Sequence, residues 1–455
     1  MPALDGVRAL AILAVLASHA GIPGMSGGFL GVDVFFVLSG FLITSLLLEE
    51  RGRTGRTELG AFWARRARRL LPAALVMIVA VFLGQSLLQP DAVTRLRGDA
   101  VSAALWSSNW RFALHGTDYF SQGGTASPLQ HTWSLGVEEQ FYVLWPLLLA
   151  LIWLGTRSRQ IRRRRLLVVS VLGIAGSAAA TYRLSHVAAL GRVYFGTDTR
   201  AQELLVGAAL AAVLQPTWRW YRSRHRARRS PQIEHLHALA PIASVLGLGV
   251  LVFAAHFATG APSEYQHGLM LGVAVAAAAL IGAVVLDGRT VVATVLSWPP
   301  LVGLGRISYG VYLWHWPIFQ VLTGTRTGLR GYPLAGLRVG VTLVVAIASF
   351  FLIERPAQRW RPAPLRLLPV AAAGIAGVIA VALFAMPTHR SALVSAGSAD
   401  VLQGAPIKAA ADKARVQAAA VRAPSRSGPM SVDVFGDSIA WTLAQYFPTT
   451  DNTTL

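Results

Sequence analysis

Two ionisable side chains lie inside the first apolar stretch of the chain, Leu4 to Ala20: Arg8 near its start and His19 near its end. At about 100° per residue, eleven steps bring a helix back to within roughly 20° of its starting face, so both side chains project from one side. A rise of about 1.5 Å per residue places them roughly 16 Å apart, about half the hydrocarbon thickness of a bilayer. A guanidinium suits a phosphate-bearing ligand. An imidazole is the side chain whose ordinary pKa best suits it to take a proton from a hydroxyl near neutral pH, or to carry a group as a nucleophile. Such a histidine needs a carboxylate to set its tautomer, and two candidates lie near span entrances. Asp33 follows a short glycine-rich turn and is expected at the depth of His19. Glu139 follows Glu138 at the opening of a later span. Adjacent acids on a helix point about 100° apart, so only one of Glu138 and Glu139 faces a given site.

Other polar residues fall inside apolar segments. Trp133 and Ser134 precede the acid pair. Asp198, Arg200 and Glu203 cluster further on, and Arg200 and Glu203, at i and i+3, are spaced to pair as a structural ion pair or to meet a substrate. Ser308, Tyr312 and His315 recur at i, i+4 and i+7 and so share a helix face, either for packing or for substrate contact. His225, His235, His237, His256 and His267 have no acidic partner nearby in sequence and read as structural or interfacial. The absence of cysteine excludes a thiol nucleophile, disulfides and cysteine-ligated metal, and no metal site is expected.

The elements that must position these residues are membrane spans. The chain of 455 residues is 54% hydrophobic and only 14% charged, which places it outside the soluble class. About eleven apolar runs, each of roughly 17 to 22 residues, are long enough to cross a bilayer. The net charge of +20 comes largely from arginines concentrated in the even-numbered gaps, at 51–69, 157–165, 219–229 and 355–366. That distribution argues against nucleic acid and, by the positive-inside rule, puts the amino terminus in the cytoplasm and the carboxyl terminus outside. The first span is not a signal peptide, because Arg8 lies within the apolar region and Asp5 precedes it. The aromatic-rich segment from Gln89 to Leu135 is expected to fold back over the outer surface. Composition then divides the chain into a ten-span domain at 1–360, an eleventh span at 361–387, an external linker at 388–430 and a closing block at 431–455. That block runs from an apolar strand through Gly436, Asp437 and Ser438 into a helix start, without the later Asp and His that a triad requires.

In combination these stretches resemble the membrane acyltransferase 3 family. The resemblance is carried by Arg8 and His19; by Phe35, Phe36, Ser39, Gly40 and Phe41; by Arg66 and Arg69; by Trp133, Ser134, Leu135 and Glu138; and by Ser308, Tyr309, Tyr312 and His315. It implies an all-α polytopic bundle and an O-acyltransferase that uses cytoplasmic acyl-CoA, expected to be acetyl-CoA, as donor. The acceptor implied is a hydroxyl of a glycan or glycolipid outside the bacterial cytoplasmic membrane. His19, with Asp33, Glu138 or Glu139, would be catalytic, and Arg8, Arg66 and Arg69 would hold the donor. Trp133, Ser134, Asp198, Arg200, Ser308, Tyr312 and His315 would contact substrate. The closing block resembles the start of an α/β SGNH domain, truncated after its first block. A transporter or lipid exporter is the competing class; it would favour an internal repeat with broken helices in corresponding positions, and no such repeat is present.

Overall fold

The computed structural model describes residues 1–88, 93–117, 119–120, 126–156, 158–222, 231–360 and 364–384. The linker at 388–430 and the block at 431–455 with Ser438 lie outside the described residues. Among those described there is no β-strand, and eleven helices have at least 18 residues. They are α1 (Pro2–His19), α2 (Gly31–Thr54), α3 (Leu59–Leu88), α4 (Thr132–Ile152), α5 (Arg159–Val187), α6 (Thr197–Arg222), α7 (Pro231–Phe257), α8 (Leu269–Leu286), α9 (Pro299–Val321), α10 (Gly331–Ser349) and α11 (Pro364–Phe384). Eight stretches are both long and apolar enough to cross a membrane, and they fall on all of these except α6, α9 and α11. Helices α6 and α9 carry buried polar groups in place of part of the apolar surface, and the apolar stretch of α11 is the shorter Pro369–Phe384.

Local chemistry explains the ends of the first two helices. Proline in the first turn of α1 fills a position whose N–H has no helical partner in any case. Helix α2 stops where Gly55 adopts the left-handed conformation, φ 77°, which a side chain would strain. Between them the turn lies flat on α1: a Cβ at Gly28 would fall on the Ala14 carbonyl, and one at Gly31 on that of Ala11. The antiparallel pair expected from the short connection is therefore locked by backbone contact.

Helix α1 packs between α9 and α2, and α2 lies along α6. The α2–α6 seam depends on two glycines facing opposite carbonyls. A Cβ on Gly40 would overlap the Leu204 oxygen, and one on Gly207 would overlap the Val37 oxygen. Lipid tails are as apolar as leucine, so close backbone approach and polar contacts hold such a seam together. Gly40→Ala must push the helices apart, and we expect a loss of about 1–3 kcal/mol. A thermal unfolding midpoint in detergent equal to that of the parent would contradict this close packing. The segment between α3 and α4 includes short helices at Val93–Ala104 and Ser108–Leu114, tied together by an Arg111–Asp99 ion pair at 2.6 Å.

Candidate active site

His19 ends α1 and meets two side chains that sequence alone does not bring to it. Its Nδ1 lies 3.0 Å from Nε2 of His315 on α9, and its Nε2 lies 2.7 Å from the Tyr119 hydroxyl. The two imidazole planes are parallel within 3°. The proton positions follow from the far end of the chain. Nδ1 of His315 is 2.6 Å from the Tyr312 backbone carbonyl, which can only accept. A neutral His315 therefore has a bare Nε2, which accepts from His19 Nδ1–H, and His19 is left with its Nε2 lone pair directed at a hydroxyl. Burial pushes the Tyr119 phenol up to about 12, so it is protonated and donates. Trp316 closes the site, its ring 4.8 Å from that of His19 and its Nε1 donating to the Ser127 carbonyl.

The Arg8 end of α1 opens on a cavity of about 80 Å³ lined by Arg8, Arg66, Arg69, Ser39, Glu138 and Tyr309, together with Ser134, Ser308 and Tyr312. Among the described residues none of the three guanidinium groups has an ion-pair partner within 4.0 Å. Arg66 instead lies over the rings of Phe62 and Tyr142. Three convergent guanidinium groups against one lining carboxyl, Glu138, leave net positive charge and so form a ready site for a polyanion. Ser39 donates to Glu138 Oε1 at 2.6 Å, and Tyr142 donates to Oε2 at 3.3 Å, which orients that acid. Above it, the hydroxyls of Ser134 and Tyr312 are 2.7 Å apart, and Tyr312 also donates to the His131 carbonyl.

The carboxylates expected beside His19 are elsewhere. Asp33 is fully buried against α6, where its Oδ1 is 2.9 Å from Arg200 Nη1; the same nitrogen is 3.2 Å from Glu203 Oε1. The expected i, i+3 pair is thus present, and it captures Asp33 as well. The Arg200 guanidinium also lies over Trp133 and Tyr194, with ring centroids at 5.2 and 4.4 Å. The reason is electrostatic: a guanidinium in this apolar interior is stabilised by the nearest anion, and α2 presents Asp33 to α6 rather than to α1. Glu138 lies in the arginine-lined cavity, and Glu139 makes no hydrogen bond or ion pair with another described residue. Asp198 is turned outward into a two-pronged pair with Arg192, at 2.9 and 2.7 Å. Of the residues expected to contact substrate, His315, Ser134, Ser308 and Tyr312 gather around the line from His19 to the arginines, whereas Trp133 and Arg200 belong to the neighbouring buried ion-pair region and Asp198 to its separate pair with Arg192.

Three residues at this site were not singled out from sequence. Tyr119 lies in a polar segment with no periodicity to mark it. His131, only 2% exposed, sits with its ring centroid 5.7 Å from that of His315 and has no hydrogen-bond partner on either nitrogen among the described residues. Its position two residues before Trp133 and Ser134 was the available signal. Gln140 joins Asn109 and Thr197, linking the segment between α3 and α4 to α4 and α6.

A helical, many-times-apolar bundle with a half-buried imidazole and an arginine-lined cavity along one helix is a polytopic membrane protein built around an internal polar line. The chain belongs to the membrane acyltransferase 3 family: residues 1–355 match the acyltransferase domain that defines it. It is 38% identical over 365 residues to the peptidoglycan O-acetyltransferase OatA of Listeria monocytogenes, covering 79% of this chain and 56% of the relative. It is 39% identical over 361 residues to YrhL of Bacillus subtilis, to which peptidoglycan O-acetylation is provisionally ascribed, covering 78% and 54%. It is 32% identical over 403 residues to the O-acetyltransferase OatA of Staphylococcus aureus, covering 88% and 64%. The chain therefore spans between half and two thirds of the length of these relatives. No solved structure matches it significantly.

Proposed function

We propose that this chain is an integral-membrane O-acyltransferase that moves an acyl group, acetyl in the first instance, from acyl-CoA to a hydroxyl of a cell-envelope glycan outside the cytoplasmic membrane. The observation that carries this reading is that α1 bears Arg8 on a cavity shared with Arg66 and Arg69 and, at its other end, His19 between His315 and Tyr119; this supports an anion-binding end and a proton-accepting end. Arg8, Arg66 and Arg69 would bind the phosphates of the donor, entering from the arginine-rich side that the positive-inside rule places in the cytoplasm. Ser134, Ser308 and Tyr312 would line the passage for the thioester arm. His19 Nε2 would take the proton of the acceptor hydroxyl as the new C–O bond forms and the C–S bond breaks, and that proton would return to the departing thiolate. His315 would hold the required tautomer and share the resulting positive charge, in the place where Asp33 or Glu139 was expected.

Reconstitution in vesicles with labelled acetyl-CoA and muropeptide or oligosaccharide acceptors, read by mass spectrometry, tests this function directly. Absence of acetyl ester with every acceptor would reject it. The donor assignment has its own expectation. Arg66→Ala and Arg69→Ala should each raise the KM for acetyl-CoA by about tenfold with a smaller change in kcat, as loss of ground-state binding does. An unchanged KM in both variants would move the donor site elsewhere.

A further inference from the structure

The arginine-lined cavity stops short of His19. Neither His19 nor its neighbours His315, Tyr119 and Trp316 lines it. Ile12 and Val15 lie between Arg8 and His19 on the same face of α1, and both are 0% exposed. Helix α9 repeats the order: Ser308 lines the cavity, His315 meets His19, and Tyr312 falls between them on the shared face. A packed layer therefore separates the arginine end of the bundle from the proton-accepting end.

Within that layer Tyr312 is held by bonds that another molecule can take over. Its hydroxyl lies 2.7 Å from that of Ser134 and donates to the His131 carbonyl at 3.0 Å, which pins the phenol ring to the start of α4. The ring forms part of the cavity wall and meets Phe35 edge-on, with centroids 6.5 Å apart. The helix beside it is weakened. Pro317 has no N–H to offer the Leu313 carbonyl, so α9 lacks one rung of its ladder next to Tyr312.

We propose that Tyr312 is a gate between the arginine-lined cavity and His19. When it is closed, its ring and its bonds to Ser134 and His131 keep a thioester in the cavity away from the imidazole and from water at that end. The pantetheine arm of an acyl-CoA carries amide groups. An amide N–H can take the His131 carbonyl and an amide oxygen can take the Ser134 hydroxyl, which releases Tyr312 to turn aside on the weakened turn of α9. Donor binding favours the open state because the arm makes those contacts only there. The donor's part rests on the acyltransferase reading above, whereas the closed layer and its latch do not.

Two measurements on the full chain in vesicles test the gate. A labelled thioether analogue of acetyl-CoA binds without turnover, and filtration gives its Kd. Tyr312→Phe keeps the ring and loses the latch, so the open state is more populated and the analogue should bind about threefold tighter or more. A tyrosine that merely touches the donor would give weaker binding on losing its hydroxyl; weaker or unchanged binding overturns the gate. The second measurement uses the absence of cysteine from the chain. Leu135→Cys puts one thiol in the cavity wall, and a membrane-impermeant thiol reagent is added at the His19 face. Adding Tyr312→Ala should raise the rate of modification from that face by about tenfold. Equal rates with and without Tyr312→Ala, whether fast or absent, overturn the gate. The increase supports it even where the parent binds no analogue or transfers no acetyl group, in which case only the acyltransferase reading fails. If Tyr312→Ala does not fold, the affinity of Tyr312→Phe decides.

Discussion

His19→Ala is expected to reduce acyl transfer by about 10³-fold, within the range that a positioned general base contributes, while leaving expression and the unfolding midpoint close to those of the parent. The geometry makes a sharper demand on its partner. His315 acts on His19 by accepting at Nε2, and its own Nδ1 is committed to the Tyr312 carbonyl. His315→Phe keeps a ring in the same space but removes the acceptor, so His19 is free to turn its lone pair away from the hydroxyl; we expect a loss of roughly 10² in kcat. His315→Gln can place an amide oxygen near the position of Nε2 and should recover part of that loss. Initial rates of acetyl ester formation in vesicles read all three. A fully active His19→Ala protein, or equal losses in the phenylalanine and glutamine variants, would remove the base and its tautomer control from the mechanism.

The second large effect concerns stability. Arg200, Asp33 and Glu203 are all fully buried, with one guanidinium between two carboxyl groups. Arg200→Met removes the cation and leaves both acids without it in an apolar interior. Breaking a buried pair in this way costs about 3–5 kcal/mol, far more than the loss of a surface bridge. The cost belongs to the stranded acids, so adding Asp33→Asn and Glu203→Gln to Arg200→Met should restore much of the thermal midpoint measured in detergent. If Arg200→Met alone unfolds at the parental temperature, the cluster does not hold α2 to α6. Because Arg200 also lies over Trp133 and Tyr194, and Tyr194 stacks on Tyr119 at 4.3 Å, the same substitution is expected to loosen the hydroxyl beside His19.

Much of this architecture follows from periodicity and charge distribution. Apolar run length set the long helices, because only a helix satisfies its backbone within one segment in lipid. The spacing of Arg8 and His19 placed both on one face of α1, and the i, i+4, i+7 spacing in α9 aligned Ser308, Tyr312 and His315. Those relations lie within single helices, where a rise and a rotation per residue suffice. The grouping of Arg66 and Arg69 was likewise readable, since two arginines at i and i+3 near a span boundary stay together whatever packs beside them.

What a helix meets on its flank is decided elsewhere in the chain. Asp33 was legible as a buried acid at the depth of His19, but its direction depended on which neighbour α2 pressed closest. Gly40 and Gly207 let α6 approach, and with it came Arg200, 167 positions away in sequence. His19 in turn found His315 and Tyr119 instead of an acid, since α1 is wedged against α9 and the segment between α3 and α4 brings Tyr119 to its end. The sequence by itself therefore determined a spanning helix with a guanidinium and an imidazole on one face. Only the tertiary structure decided which groups complete each end, because interhelical contacts are set by close backbone approach and buried charge pairing, neither of which has a period along the chain.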